Sequence, residues 1–133
     1  MLTTWFRRFL LDTNIVIALF AQDENVLQQL QQAVGIVLPC IVLGELYYGA
    51  RKSSRAAANV QRVDELAAQN AVLNCDLETA QHYAIIREAL RAKGRPLPEN
   101  DLWIAALALQ HNLILVSRDA HFDEIERLNV VAW

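Results

Sequence analysis

Four acidic residues in this 133-residue sequence stand at places where carboxylates can do chemistry together. Asp12 ends a short apolar run, Glu45 lies inside an apolar helical stretch, Asp101 opens an apolar helix, and Asp119 follows the clearest apolar run. Oxygen-only donors of this kind suit Mg²⁺ or Mn²⁺. Such an ion can activate a bound water and stabilise the charge that develops on phosphate oxygens. The residue types therefore indicate metal-assisted chemistry at phosphorus.

Each acid taken alone has a simpler explanation. Asp12 and Asp119 can end strands and Asp101 can cap a helix, whereas Glu45 needs a partner because a buried carboxylate is costly without one. Two carboxylates about 4 Å apart repel by roughly 4 kcal/mol at an effective dielectric constant near 20. A fold that gathers several of them is therefore expected to use them.

The elements that would gather the acids alternate along the chain. Short apolar runs bounded by polar residues predict five strands, at residues 9–11, 35–38, 71–75, 113–116 and 130–132. Helical patterns lie between them, at residues 15–20, 24–32, 41–52, 55–68, 77–92 and 102–110, with a short turn or helix near 123–127. This alternation predicts βαβ units, right-handed crossovers and a parallel sheet covered on both faces. We expect one α/β domain spanning residues 1–133, with the acids at one sheet edge.

Local signals add two expectations about the helices. Thr13 or Asn14 is predicted to supply the N-cap oxygen of the first helix. Gly44 and Gly49 each cost about 1 kcal/mol relative to alanine in a helix, which predicts close packing there or a helix end near Gly49.

Composition sets the broad class. A hydrophobic content of 54% is ample for a packed core, and the longest apolar runs fall short of the roughly 18 residues of a membrane span. The net charge of −3 argues against a broadly basic nucleic-acid clamp but not against a nuclease built from carboxylates. Residues 1–8 resemble a signal peptide only weakly, so a cytoplasmic protein is expected. Cys40 and Cys75 lack metal-like spacing and are predicted to be buried free thiols.

The segments around the four acids resemble, in order, the motifs of PIN-domain nucleases, most closely those of the small VapC-type toxins. These segments are LLDTN around Asp12, GELYYGA around Glu45, NDLWIAA around Asp101 and VSRDAHF around Asp119. The resemblance implies a three-layer α/β/α sandwich with a central parallel sheet and an endoribonuclease that depends on Mg²⁺ or Mn²⁺. It also implies that Asp12 and Asp101 are the main metal ligands and that Glu45 and Asp119 complete the shell. One departure is Cys40, where the family often has a Ser or Thr that caps the helix.

Further roles are assigned around the acids. By motif position, the polar supports of the site are Thr13, Asn14 and Ser117. The candidate contacts to RNA phosphates are Arg118, Arg51 and Lys52.

The resemblance also implies a small antitoxin bound over the site. An Arg or Lys of that partner could replace the metal ion and block the RNA phosphate. Tyr47 and Tyr48 with Leu27 and Leu30 are expected to form a groove for a partner helix. A homodimer, and a higher toxin–antitoxin assembly, are expected as well. The sequence identifies neither the target RNA, nor the number of metal ions, nor the antitoxin family.

Two alternatives stay open at this level. A phosphoacceptor receiver domain also uses acids at strand ends, and Asp76 could serve as its phosphorylated residue. A receiver domain requires a second acid beside Asp12 and a lysine after a late strand. The chain has neither residue at those places. The other alternative is a PIN-like binding protein without catalysis that acts only through its partner.

Overall fold

The computed structural model describes residues 8–133, so the predicted signal-like segment falls almost wholly outside the described residues. Within that range five strands occur at the predicted places: β1 (Phe9–Leu11), β2 (Ile36–Pro39), β3 (Ala71–Leu73), β4 (Ile114–Val116) and β5 (Val130–Val131). Six α-helices lie between them: α1 (Thr13–Phe20), α2 (Glu24–Gln32), α3 (Cys40–Arg51), α4 (Ala56–Gln69), α5 (Leu77–Lys93) and α6 (Glu99–Gln110). A 3₁₀ helix, η1 (Ala120–Glu124), precedes β5.

The five strands form one parallel sheet in the order β3-β2-β1-β4-β5. The chain runs outward from β1 through β2 to β3, then crosses to the other side of β1 to form β4 and β5. Because such crossovers are right-handed, this reversal places the two sets of helices on opposite faces of the sheet. The predicted α/β fold with a central parallel sheet is therefore confirmed.

The core lies around the two central strands. Leu10, Leu11, Leu115 and Val116 are buried in β1 and β4. Helix α6 is buried at every position from 104 to 108, three of them alanines. A helix that is apolar all round belongs inside a fold. Its small side chains suit close packing, and α6 packs against α5 and α3. Asp101 is thereby carried on a rigid, buried element.

The starts of two helices differ from the sequence-based expectations. Asp12, and not Thr13 or Asn14, is the N-cap of α1, and its Oδ1 accepts from the Thr13 backbone N–H at 2.8 Å. That prediction was wrong because the helix begins two residues earlier, which leaves both polar side chains free for other contacts. Helix α6 likewise begins at Glu99, so Asp101 lies in its first turn and is not a cap.

Two expectations about packing were confirmed only in part. A side chain at Gly44 or Gly49 would meet nothing within 4 Å, so close packing does not explain these glycines. The alternative expectation of a helix end near Gly49 agrees with the end of α3 at Arg51. Both cysteines are free, as predicted, but Cys40 is half-buried and Cys75 is exposed. Cys75 is exposed because it follows β3, which is an edge strand of the sheet.

Phe122 anchors η1 and thus the turn that follows β4. It is fully buried and is the largest such side chain among the described residues. We expect Phe122→Ala to lower the free energy of unfolding by about 3–5 kcal/mol, because both apolar transfer and cavity terms are lost. Chemical denaturation measures this loss. Phe122→Leu, which keeps most of the volume, should cost clearly less, and equal losses in the two variants would contradict the anchoring role.

Candidate active site

The site begins where β1 and β4 end side by side. Leu11 pairs with Val116 in the register of the two strands, so the next residues, Asp12 and Ser117, are neighbours. Ser117 Oγ donates to Asp12 Oδ2 at 2.7 Å. Both residues are almost fully buried, with 5% of Asp12 and 3% of Ser117 exposed. The Asp12 carboxylate is therefore held in one orientation by a partner 105 residues away in sequence.

The first turn of α1 joins this pair to helix α3. Asn14 Nδ2 lies 3.4 Å from both Asp12 Oδ2 and Ser117 Oγ. Thr13 Oγ1 donates to Glu45 Oε1 at 3.0 Å. Glu45 thus receives the partner that its apolar surroundings require. The three predicted supporting residues all contact one of the predicted acids.

The turn after β4 brings in Asp119 together with a residue that sequence reasoning missed. The Asp119 backbone N–H donates to Ser117 Oγ at 3.0 Å, and its carboxylate accepts from the His121 backbone N–H at 3.0 Å. His121 Nδ1 also lies 2.7 Å from Asp119 Oδ1. Potential ligand atoms of Asp101, Asp119 and His121 all lie within 4.8 Å of one another. The sequence analysis left this histidine out of the site. The only available signal was its position two residues after an aspartate that ends a strand.

The electrostatics show that the four acids form one cluster. Burial raises the pKa of Asp101, and the negative charges of Asp12, Asp119 and Glu45 raise it further, to about 6, with His121 opposing. Burial also raises the pKa of Asp12, while hydrogen bonds from Ser117 and the Thr13 backbone act in the opposite direction. Asp101 therefore interacts with the charges of all three other acids, whereas the ligand atoms that lie within 4.8 Å of one another belong to Asp101, Asp119 and His121.

The donor set of this acid cluster, defined as Asp12, Glu45, Asp101 and Asp119, fits a divalent cation. Across residues 8–133 no lysine or arginine forms an ion pair with any of these four carboxylates. Carboxylate oxygens on rigid elements are suitable ligands for a hard cation, which would also remove their mutual repulsion. The cluster could therefore hold a metal ion.

The three residues predicted to contact RNA phosphates lie in two different places. The Arg118 Nε donates to the Trp133 carbonyl at 2.7 Å, and its guanidinium pairs with Asp23 at 2.9 Å. Arg51 and Lys52 are exposed at the end of α3, with Lys52 Nζ 4.8 Å from the centre of the Tyr48 ring. No ion pair joins these three side chains to the acid cluster in the described part of the chain.

A pocket of about 230 Å³ adjoins the acid cluster between α1, α3 and α4. Thr13 and Glu45 line it at one end. The rest of its lining is mainly apolar and consists of Ile17, Phe20, Leu46, Gly49, Ala50, Asn59, Arg62 and Val63. A partner groove was predicted from four other residues. None of them lines this pocket: Tyr47, Tyr48, Leu27 and Leu30. Gly49 lines this pocket, and a Cβ there would meet nothing within 4 Å.

Comparison with known proteins shows which family shares this fold. Residues 9–128 match the PIN domain family. The ribonuclease VapC2 of Haemophilus influenzae is 32% identical over 129 residues, which is 95% of this chain and 98% of that protein. The tRNA(fMet)-specific endonuclease VapC of Shigella flexneri is 30% identical with the same coverage. The crystal structure of VapBC2 from Rickettsia felis bound to a promoter DNA fragment superposes with a TM-score of 0.89 at 27% identity, covering 95% of this chain and 98% of that one.

The chain therefore belongs to the PIN-domain family, which has a nuclease fold. Its relatives over nearly the full length carry the name VapC, so the resemblance seen in the sequence is confirmed.

None of the helices within residues 8–133 is long and apolar enough to cross a membrane.

The raised pKa of Asp101 predicts a specific pH dependence of the metal-free protein. Between its ordinary value of 3.8 and about 6, folded Asp101 keeps a proton that the unfolded chain has lost. The contribution of Asp101 to stability is therefore lost as pH rises through that window. We expect Asp101→Asn to gain stability relative to the parent from about pH 4 to 7, by on the order of 1–2 kcal/mol after solvent screening. Denaturant unfolding in EDTA at several pH values measures the difference.

The matched control for this experiment is Asp123→Asn, which removes an exposed carboxylate from η1 outside the acid cluster. Its stability relative to the parent should change much less over the same pH range. A pH-independent difference between Asp101→Asn and the parent would show that the carboxylates do not repel one another in the folded state.

Proposed function

We propose that this chain is an endoribonuclease that depends on Mg²⁺ or Mn²⁺ and acts as the toxin of a toxin–antitoxin pair. The observation that carries the proposal is the convergence of three other carboxylates on Asp101, without a lysine or arginine among the described residues that pairs with any of the four. The names of the full-length relatives, ribonuclease VapC2 and endonuclease VapC, support the same reaction.

Each residue of the site has a proposed role. Asp12 and Asp101 are the main ligands, and Glu45 and Asp119 complete the shell directly or through water. The supporting side chains of Thr13, Asn14 and Ser117 hold Glu45 and Asp12 by the hydrogen bonds described above. When bound, the metal ion supplies an activated water and neutralises charge on the scissile phosphate.

The RNA backbone is proposed to lie along the exposed end of α3. Arg51 and Lys52 are free to meet phosphates there, since both side chains are exposed. Arg118 can contribute only after its guanidinium leaves Asp23. Phosphate contacts of this kind add affinity without sequence preference.

The partner is proposed to be an antitoxin that fills the pocket beside Glu45. The structural relatives include VapBC complexes from Rickettsia felis and Salmonella typhimurium. A partner helix with apolar side chains suits the pocket, and a guanidinium at its end would suit the carboxylates. We propose in addition a homodimer, for which exposed Tyr48 on α3 is a candidate contact, and action in the cytoplasm, where RNA is available.

The two alternatives fit less well. In the receiver-domain alternative Asp76 would be phosphorylated, but its carboxylate caps α5 through Thr79 and accepts from Gln110 Nε2 at 2.9 Å. A binding protein without catalysis would have no reason to keep four mutually repelling acids and their supporting hydrogen bonds.

The purified protein is expected to cleave RNA only with a divalent metal. A panel of structured RNAs that includes tRNA(fMet) is incubated with Mg²⁺, Mn²⁺ or EDTA, and the products are separated on gels. We expect Asp101→Asn to lower the cleavage rate by more than about 100-fold and Ser117→Ala by roughly 10–100-fold, because ligands and their supports both affect metal sites.

Asp123→Asn should cleave like the parent and so controls for a general effect of lost negative charge. Undiminished cleavage in excess EDTA would exclude the metal mechanism. Metal-dependent cleavage that survives in Asp101→Asn would exclude the acid cluster as its site.

Expression in cells tests the toxin assignment separately from the chemistry. We expect the chain alone to arrest growth, and Asp12→Ala or co-expression with the product of the adjacent upstream gene to prevent the arrest. Growth curves and immunoblots for equal expression measure this. If parent and Asp12→Ala arrest growth equally, toxicity does not come from catalysis and the toxin proposal fails.

A further inference from the structure

The two cysteines of the chain lie at the same end of two neighbouring strands. Cys40 directly follows the last residue of β2, and Cys75 lies two residues beyond the end of β3. The strands are parallel, and Pro39 is paired with Leu73 in their register. The two cysteines are therefore neighbours in space although 34 residues separate them in the sequence.

The register also brings them close. Pro39 and Leu73 lie opposite each other on neighbouring strands, which are about 4.8 Å apart. Cys40 follows Pro39 directly as the first residue of α3, and Cys75 lies two residues beyond Leu73. Disulfide-bonded cysteines have Cα atoms roughly 4.4–6.8 Å apart, so this arrangement is compatible with a disulfide. Cys40 is also among the groups that raise the pKa of Cys75, so the two sulfurs lie close enough to interact. Cys75 is exposed and Cys40 is half-buried, so a small oxidant has access.

We propose that Cys40 and Cys75 form a redox pair, which a peroxide converts into an intramolecular disulfide. In the first step one sulfur attacks a peroxide oxygen, the O–O bond breaks, and one water leaves with a sulfenic acid formed. In the second step the other thiol attacks that sulfur, the S–O bond breaks, and a second water leaves. The two thiols lose two electrons and two protons in total, and the peroxide is reduced to water.

The surroundings of the two sulfurs assign the order of the steps. Desolvation and the neighbouring Cys40 raise the pKa of Cys75 to about 11. Because the thiolate is the nucleophile, Cys75 is slow to attack peroxide at neutral pH. The raised pKa of Cys75 thus favours Cys40 as the first sulfur to react and Cys75 as the one that resolves the sulfenic acid.

The disulfide would close a loop that contains most of one face of the protein. Helix α3 with Glu45, helix α4 and the edge strand β3 all lie between the two cysteines. Asp76, which follows Cys75, accepts from Gln110 at the end of α6. The bond would thus restrain the ends of the elements on which both Glu45 and Asp101 are carried. None of this depends on the nuclease proposal.

The test exposes the folded, reduced protein at low concentration to hydrogen peroxide and then blocks the remaining thiols. Intact mass should fall by two hydrogen atoms, and peptide mapping should find Cys40 joined to Cys75 within one chain. The melting temperature of the oxidised form should rise by on the order of 10 °C and return to its original value with dithiothreitol.

Two single variants separate the roles of the sulfurs, with folding checked by circular dichroism. With the sulfenic-acid trap dimedone present, Cys75→Ser should be labelled at Cys40, whereas Cys40→Ser should react at least about tenfold more slowly. The proposal is overturned if peroxide yields only disulfides between two chains. It is also overturned if the parent accumulates dimedone-trapped sulfenic acid without forming the internal bond.

Discussion

The mutual repulsion of four carboxylates is the constraint around which this structure is arranged. Asp12 and Asp101 differ in how their surroundings compensate for this repulsion. Asp12 is the more buried, but the Ser117 hydroxyl and the Thr13 backbone N–H stabilise its charged form. No hydrogen-bond donor is among the groups that shift the pKa of Asp101, and that pKa rises to about 6. The fold therefore fixes one carboxylate with hydrogen bonds and leaves the other to be neutralised from outside.

The sequence was sufficient for the sheet and for the four acids. Each strand is a short apolar run with a polar end, and parallel strands bring such ends together, so Asp12 and Asp119 could be placed without coordinates. His121 could not be placed, because its role depends on the turn that Asp119 caps. The cap of α1 was also missed, since Asp12, Thr13 and Asn14 all have side chains that can cap and only the tertiary contacts decide among them.

The pocket could not be predicted from the sequence, for a related reason. Its lining comes from three helices that are separate in the sequence, and only the tertiary packing brings them together. Tyr47 was expected to line a groove, but its hydroxyl donates to Asp64 Oδ1 at 2.5 Å and joins α3 to α4. That bond links two walls of the pocket, while Thr13 and Glu45 belong both to the pocket and to the acid network. A ligand in the pocket therefore meets Glu45 of the acid cluster directly.

Three kinds of positive charge can relieve the repulsion, and they compete for the same carboxylates. Below about pH 6, a proton on Asp101 removes one of the negative charges. A bound divalent cation would neutralise them where the ion is available. A guanidinium from a partner would do so when the partner fills the pocket. Because each binds the charged cluster, metal binding below about pH 6 must release a proton. For the same reason, a partner that inserts a cation must weaken metal binding, and the metal must weaken the partner to the same extent. Under the proposed function, inhibition by such a partner would act by supplying the positive charge that a metal ion would otherwise supply.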